Sequence, residues 1–244
     1  MADAARDPLR LEAPAQRDLV TVLPPLRSVI PGGGLRPGSV LGLDGPGAGS
    51  LGAALVAGVA GAEDGGWCGV VGLPEFGVVA AVGMGADPER LLLVDEPGGR
   101  WPDVVAALVE AVDLVLLRLP ERPPATAVRR LSALARKHGC VLTLTGAYAR
   151  DWPGTRLRLR MDDAAWEGLG DGHGVLRGRR VRVTAEGRDA PGRGRQAFVW
   201  LPGPDGKVAP ADMVSRRPVL EVLPGSGSLR AVRGGSAGGG EGAA

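Results

Sequence analysis

Apolar residues follow two different spacings along this chain, and the change falls near residue 150. Before that point, short apolar runs alternate with segments in which apolar residues recur every three to four positions. The segments predict helices. The apolar runs are typical of buried strands, and they lie at 40–43, 67–73, 91–94, 114–119 and 141–145. Strands that alternate with helices in this way favour βαβ units and a mainly parallel sheet.

Beyond residue 150, apolar and polar residues alternate with period two. The pattern covers 155–163, 179–185 and 195–202 and is typical of antiparallel strands with one wet face. We therefore predict an α/β fold, with a mainly parallel sheet flanked by helices and antiparallel strands added at its C-terminal edge.

The ends of the chain differ in composition from its middle. Residues 1–17 are polar and are predicted to be flexible, and 18–205 are predicted to form one core. Residues 206–244 are predicted to be an extended tail, rich in Gly, Ser and Ala from residue 224. The first residues carry acids and lack the apolar centre of a signal peptide, and no run of 18 apolar residues is present, so we expect a cytoplasmic protein without a membrane partner.

Composition restricts the kinds of site the chain can hold. Apolar residues make up 44% but aromatics only 3%, so the core is built from Val, Leu and Ala. Nearly all of the 29 basic residues are Arg, but the formal net charge is only +2, so the arginines alone do not indicate nucleic acid. Cys68 and Cys140 lie in apolar runs and are predicted to be buried, reduced thiols, and no Cys or His spacing predicts a metal site.

A glycine-rich turn follows the first strand, within GLDGPGAGSLGAALVAG at 42–58. This strand–turn–helix order is that of a P-loop, in which backbone N–H groups hold phosphates while a Lys and a Ser or Thr complete the site. The helix is predicted to place Leu51, Leu55 and Val59 on one face. Because the turn contains no lysine, the sequence leaves open whether it holds a nucleotide or only joins strand and helix.

Several segments in this order resemble the RecA core, from about residue 18 to residue 205. GGGLRPGSVLGLDGP looks like the segment that leads into the RecA P-loop. GWCGVVGLPEF looks like the RecA strand that ends in the catalytic glutamate, and GADPERLLLVDEP looks like the strand that follows it. VDLVLLRLP occupies the position of the Walker B strand. TRLRLRMDD and RGRRVRVTAEGRDAPGRGRQAFVWLP look like the closing antiparallel strands. Within this superfamily the chain is most similar to the small ImuA-type, SulA-related RecA paralogues.

The resemblance implies a degenerate Walker A site. Leu51 stands where RecA proteins have the lysine, and Gly52 stands where they have the magnesium-binding hydroxyl. Ser50 supplies a hydroxyl only if the alignment shifts by one or two residues, and the turn can still attract an anion. The implied loop positions are Gly45, Pro46, Gly47, Gly49, Ser50, Leu51 and Gly52.

The resemblance also implies a degenerate Walker B site. Arg118 lies where the strand would offer an acid to magnesium, and Asp113 at its start is interpreted as a surface residue. Glu75 matches the glutamate that activates water, but without a metal or phosphate clamp we interpret it as vestigial. We expect no ATP hydrolysis, no cofactor and no bound metal.

RecA proteins bind single-stranded DNA through two loops, and the resemblance implies that both are short here. The second, between Thr145 and Thr155, has nine residues. Its Tyr148 and Trp152 are candidates for stacking on bases, with packing of the turn as the alternative.

An arginine-rich stretch is better placed for contact with DNA or a partner protein. Alternation predicts that Arg180 and Arg182 share one strand face and that Arg193 and Arg195 lie on a hairpin. Such a patch can neutralise phosphates, and a solvated strand face is the alternative. The candidate residues are Arg177, Arg179, Arg180, Arg182, Arg188, Arg193 and Arg195.

The tail holds isolated apolar residues in a background of Gly and Ser, at Leu220, Val222, Leu229 and Val232. This pattern is typical of a segment that becomes ordered against a partner. The resemblance gives 19–26 as an alternative contact, because RecA-type subunits dock on a neighbour through the strand before the core.

The ImuA-type resemblance implies a non-catalytic adaptor for error-prone translesion synthesis in the SOS response to DNA damage. The implied partners are an inactive Y-family-like polymerase homologue and, through it, an error-prone C-family DNA polymerase, with weak DNA binding and nucleoid association when engaged. Two alternatives stay open. One is a nucleotide-dependent recombinase paralogue that binds single-stranded DNA, and the other is a SulA-like division inhibitor that binds a tubulin-like GTPase.

Overall fold

A computed structural model describes residues 18–169, 174–212, 219–222 and 229–232 of the chain. Side chains are described in these ranges except at 169, at 191–193 and in the last two ranges. The flexible end predicted for 1–17 lies outside the described residues.

Strands and helices alternate through the first part of the chain, as the apolar spacing predicts. They are β1 Val40–Asp44, α1 Ala48–Ala60, β2 Cys68–Val71, α2 Val78–Gly83, β3 Leu91–Val94, α3 Trp101–Val109, β4 Leu114–Arg118, α4 Ala125–His138 and β5 Val141–Thr145. Strands alone follow, with β6 Leu157–Leu169, β7 Gly174–Gly187, β8 Ala190–Trp200 and β9 Ala209–Pro210.

These nine strands form one sheet in the order β3-β2-β4-β5-β1-β6-β7-β8-β9. Neighbours from β3 to β6 pair in parallel, and β6 to β9 pair antiparallel. The predicted α/β class with an antiparallel C-terminal edge is therefore confirmed. The last strand lies beyond residue 205, where the sequence analysis ends the core.

Helices cover both faces of the parallel part of the sheet. One buried cluster joins α1 and α2 to the sheet, and the other joins α3 and α4 to its opposite face. Cys68 and Cys140 are buried free thiols, as predicted, and burial raises the pKa of each thiol.

Helix α1 is buried more completely than the sequence predicts. Every residue from Leu51 to Ala60 is buried, not only the face that carries Leu51, Leu55 and Val59. The segment that precedes β1 contributes Val22 and Leu26 to the same cluster, so α1 lies between the sheet and this segment. A helix buried on all sides needs no polar face, and α1 contains no charged residue.

The interpretation of Asp113 as a surface residue is wrong. Its exposed fraction is 7%, and one carboxylate oxygen accepts a hydrogen bond from the backbone N–H of Trp67 at 3.0 Å. Asp113 lies just before β4, at the end of the strand opposite Arg118, so its carboxylate anchors the start of β2.

The chain divides into two compact units, Met1–Ala211 and Asp212–Ala244. In the second unit, β10 Val219–Val222 pairs antiparallel with β11 Leu229–Val232. The isolated apolar residues of this segment do not predict these strands. They contain the four apolar tail candidates, Leu220, Val222, Leu229 and Val232, whose side chains lie outside the described residues.

Candidate functional site

The glycine-rich turn joins β1 to α1, as the P-loop pattern predicts. Gly45 and Gly47 have φ of 90° and 94°, a left-handed conformation that favours glycine. A Cβ at Gly45 would meet the carbonyl oxygen of Met161 on β6, and a Cβ at Gly47 would meet Cε of the same methionine. The turn therefore lies directly on the adjacent strand, and its glycines permit that close approach.

The two positions assigned to the P-loop lysine and hydroxyl are both buried. Leu51 has an exposed fraction of 0%. A Cβ at Gly52 would lie 2.9 Å from Cδ2 of Leu116 on β4. Leu51 and Gly52 thus pack α1 onto the sheet, and a side chain at residue 52 would require the Leu116 side chain to move.

Glu75 and Arg118 form an ion pair at the carboxyl ends of β2 and β4. An Arg118 guanidinium N–H donates a hydrogen bond to Oε1 of Glu75. This bond lowers the pKa of the Glu75 carboxyl below its usual value of 4.5. The glutamate that the RecA resemblance assigns to water activation is thus paired with an arginine at the position that it assigns to the magnesium ligand, and a cation at that position does not fit a magnesium ion.

A cavity of ≈ 370 Å³ opens between the first turn of α1, the loop after β2, and α2. Ser50 and Glu75 supply polar groups to its wall. The rest of the lining is mostly apolar and includes Ala53, Phe76, Met84 and Pro202. The cavity has the volume of a small-ligand site, with walls suited to an apolar group.

Arg179 brings a cation to the glycine-rich turn from β7. Its Nη1 would lie 3.5 Å from a Cβ at Gly47, and its Nε donates to the carbonyl oxygen of Leu201 at 2.8 Å. The guanidinium also lies 5.2 Å from the ring centroid of Trp166, and burial lowers its pKa. In the part of the chain that the structure describes, Arg179 makes no ion pair with a carboxylate.

Arg179 belongs to the basic stretch in the sequence, and local spacing does not indicate its place beside the turn. The two positions are more than 130 residues apart in the chain. Only the parallel pairing of β6 with β1 and the antiparallel pairing of β7 with β6 bring them together.

Carboxylates pair with two arginines of the arginine-rich stretch. Arg180 pairs with Glu167, and Arg182 pairs with Asp162 and Asp163 at 2.8 Å each. Arg180 also stacks on the ring of Trp200, at 5.2 Å from its centroid. On their predicted shared face, Arg180 and Arg182 are therefore paired with carboxylates of β6, and these carboxylates compete with phosphate for the guanidinium groups.

Three of the remaining arginine candidates are exposed. Arg177, Arg188 and Arg195 make no ion pair with the side chains that the structure describes. The Arg193 side chain lies outside the described residues. If these strands bind phosphate, the exposed arginines are the residues that would contact it.

Trp152, a candidate for base stacking, is not accessible to a base. Trp152 has an exposed fraction of 1%, and its indole N–H donates to Oγ of Ser132 on α4 at 3.2 Å. The ring is part of the core, which is the alternative that the sequence analysis left open. Tyr148, with 37% exposed, remains accessible in the short connection between β5 and β6.

The described residues contain no group of three or more His, Cys, Asp or Glu side chains that could hold a metal ion. None of the helices described is long and apolar enough to cross a membrane.

Comparison with known proteins identifies a family, a curated relative and a similar solved structure. A sequence model of the MT3502 N-terminal domain matches residues 28–154. The uncharacterized protein Rv3395c of Mycobacterium tuberculosis (strain ATCC 25618 / H37Rv) is 38% identical over 162 residues, which are 63% of this chain and 76% of the relative.

A crystal structure of the RadB recombinase has a TM-score of 0.56 with 17% identity and covers 77% of this chain and 97% of its own. At this identity the likeness concerns the fold, and it agrees with the RecA-like order of the strands. The family match spans β1 to β5 and so includes the glycine-rich turn, Glu75 and Arg118. The chain belongs to the MT3502 N-terminal domain family.

Proposed function

We propose that this protein is a non-catalytic RecA-like accessory protein of the DNA damage response, an adaptor for error-prone translesion synthesis of the ImuA type. The observation that carries the proposal is the ion pair between Glu75 and Arg118. Hydrolysis by a RecA-like site needs a glutamate available to water and a magnesium ion on the neighbouring strand. The ion pair occupies the glutamate and puts a positive charge beside the metal position.

The packing of α1 supports the same function. Leu51 and Gly52 join the helix to β4, so the turn stabilises the core without a ligand. A fold that is stable in this way can serve as a scaffold for protein contacts. Acids around Arg180 and Arg182 favour a protein partner over DNA as the main ligand.

The proposed partners are an inactive Y-family-like polymerase homologue and, through it, an error-prone C-family DNA polymerase. The protein acts in the cytoplasm and joins the nucleoid when engaged with these partners. Weak DNA binding through exposed arginines accompanies the protein contacts.

A deletion strain tests this function. Deletion is expected to lower the frequency of mutations induced by DNA damage, and a gene that encodes Glu75→Gln is expected to restore it fully. Restoration by the variant separates an adaptor from an enzyme that uses Glu75 as a base. A deletion strain with unchanged induced mutation frequency would contradict the proposal.

A second candidate is a nucleotide-dependent DNA-binding paralogue, and the position of Arg179 favours it. This guanidinium beside Gly47 supplies a charge where the lysine is missing. The candidate predicts binding of ATP that is lost in Arg179→Ala and kept in Arg177→Ala, measured by calorimetry. No heat of binding at millimolar ATP would end this candidate.

A further inference from the structure

Helix α2 exposes an unusual amount of apolar surface. The segment FGVVAAVGMG at 76–85 contains no charged or polar side chain. In α2 itself only Ala81 is buried, while Val79 is 87% exposed and Val82 is 40% exposed. Adjacent exposed apolar residues on one short helix are typical of a surface that another molecule covers.

The same helix forms one wall of the cavity beside the glycine-rich turn. Ala80 and Met84 line the cavity together with Phe76. The exposed valines and the cavity therefore share one helix, and the cavity volume of ≈ 370 Å³ is large enough to receive an apolar side chain of a docking partner. We call α2 with this cavity the α2 surface.

Exposed carboxylates lie around the C-terminal end of α2. Gly83 approaches the carbonyl oxygen of Gly206, next to the exposed Asp205. The turn that carries exposed Glu63 packs its Gly61 against Gly85.

Glu89 is a third exposed carboxylate on the same side. It lies beside Arg90, whose Nη1 donates to the carbonyl oxygen of Ala62 at 3.3 Å. Near this end of α2, Arg90 is paired with Asp87 at 3.4 Å, and Lys207 is exposed. Arg118 and Arg179 lie at another part of the cavity wall, beside Glu75 and Gly47. The rim of the α2 surface is therefore acidic at the C-terminal end of α2.

We propose that the α2 surface docks an apolar segment of a protein partner that carries Arg or Lys beside its apolar residues. The inference rests on the proposed adaptor function and names the surface that it uses. An acidic rim attracts a basic segment and repels the phosphates of DNA and of anionic lipid. Charge and apolar exposure together thus favour a basic, amphipathic protein segment.

The test measures binding of the full-length protein to the purified inactive Y-family-like polymerase homologue of the same organism. Val79→Glu is expected to raise the Kd by about 30-fold, the size of a central contact in an interface. Val175→Glu is the matched control, because Val175 on β7 is also an exposed valine, at 74%. The control is expected to bind like the unaltered protein.

The rim is tested by a second variant that leaves the apolar residues in place. Glu63→Lys, Glu89→Lys and Asp205→Lys together are expected to slow association and to reverse its dependence on salt. Thermal unfolding of each variant checks that the core is intact, since all the changed side chains are exposed.

Each outcome decides one point. Equal binding by Val79→Glu and by the unaltered protein overturns the α2 surface alone and leaves the adaptor function standing. If the unaltered protein does not bind the homologue, the adaptor function fails and the docking proposal falls with it. A dimer of the unaltered protein that Val79→Glu converts to a monomer, measured by light scattering, would make a second copy the occupant and overturn the proposed partner.

Discussion

The pair of Glu75 and Arg118 places two opposite charges where a RecA-like ATPase would place a base and a metal ligand. Glu75 is 59% exposed and Arg118 is 38% exposed, so water screens their attraction. The pair therefore contributes little to stability and matters mainly because it occupies Glu75.

Arg118→Gln is expected to raise the pKa of Glu75 back toward 4.5, because the hydrogen bond that lowers it is weakened. A lowered folded-state pKa stabilises the protein above the unfolded pKa, and this contribution is lost as pH falls through the folded pKa. The measurement is an NMR titration of the Glu75 carboxyl, with Arg122→Gln as the control. An unchanged pKa in Arg118→Gln would show that the pair does not exist in solution.

Leu51→Lys is expected to destabilise the protein by about 3 kcal/mol or more, because it buries an unpaired ammonium group. Leu51→Met, which conserves volume, is expected to cost less than about 1.5 kcal/mol. Urea unfolding measures both. Wild-type stability with new ATP binding in Leu51→Lys would contradict the buried position of residue 51.

Helix α1 is the element that joins the degenerate site to the core. Its C-terminal half approaches the backbone of the segment before β1. A Cβ at Gly58 would lie 2.6 Å from the backbone nitrogen of Leu23 and 2.8 Å from Cα of Val22. Glycine is therefore required there by close packing, although it is a poor helix former.

Gly58→Ala is expected to destabilise the protein by about 1–3 kcal/mol, because backbone atoms must move to admit the methyl group. Gly49→Ala is the matched control in the same helix, since a Cβ at residue 49 meets no atom within 4 Å. The control is expected to stabilise the protein by about 0.4–1 kcal/mol. Equal effects of the two substitutions in thermal unfolding would rule out the close contact at Gly58.

The elements are predictable from the sequence to a greater extent than their contacts. Period two in 179–185 predicts the alternation of β7, and Val181 and Val183 are buried as it requires. The pairing of Arg182 with Asp162 is not predictable, because it depends on the register of two strands. A bulge between Asp162 and Ala165 then shifts that register by one residue.

At the scale of the whole molecule, the order of the apolar runs predicts the fold, and the RecA resemblance predicts that the Walker side chains are absent. The motifs do not predict which side chains contact each other around the glycine-rich turn and the short loop after β5. The burial of Trp152 depends on Ser132 of α4, and the place of Arg179 depends on the closing strands. Such contacts join distant parts of the chain, so local spacing contains no signal for them.

DNA binding by the whole protein is expected to depend on the exposed arginines and not on the paired ones. Replacing Arg177, Arg188 and Arg195 with Ala should weaken binding to single-stranded DNA and lower the salt slope by about 0.7 per lost contact. Replacing Arg180 and Arg182 should change the affinity less than twofold. Fluorescence anisotropy at several salt concentrations measures both, and a larger loss from the second pair would overturn the assignment.

The contact between Gly52 and Leu116 also bears on any attempt to build a nucleotide site into this chain. A lysine at residue 51 would replace a side chain with no exposed surface, and a side chain at residue 52 would displace the methyl groups of Leu116. Such a design must therefore repack the interface between α1 and β4 before it adds a phosphate contact.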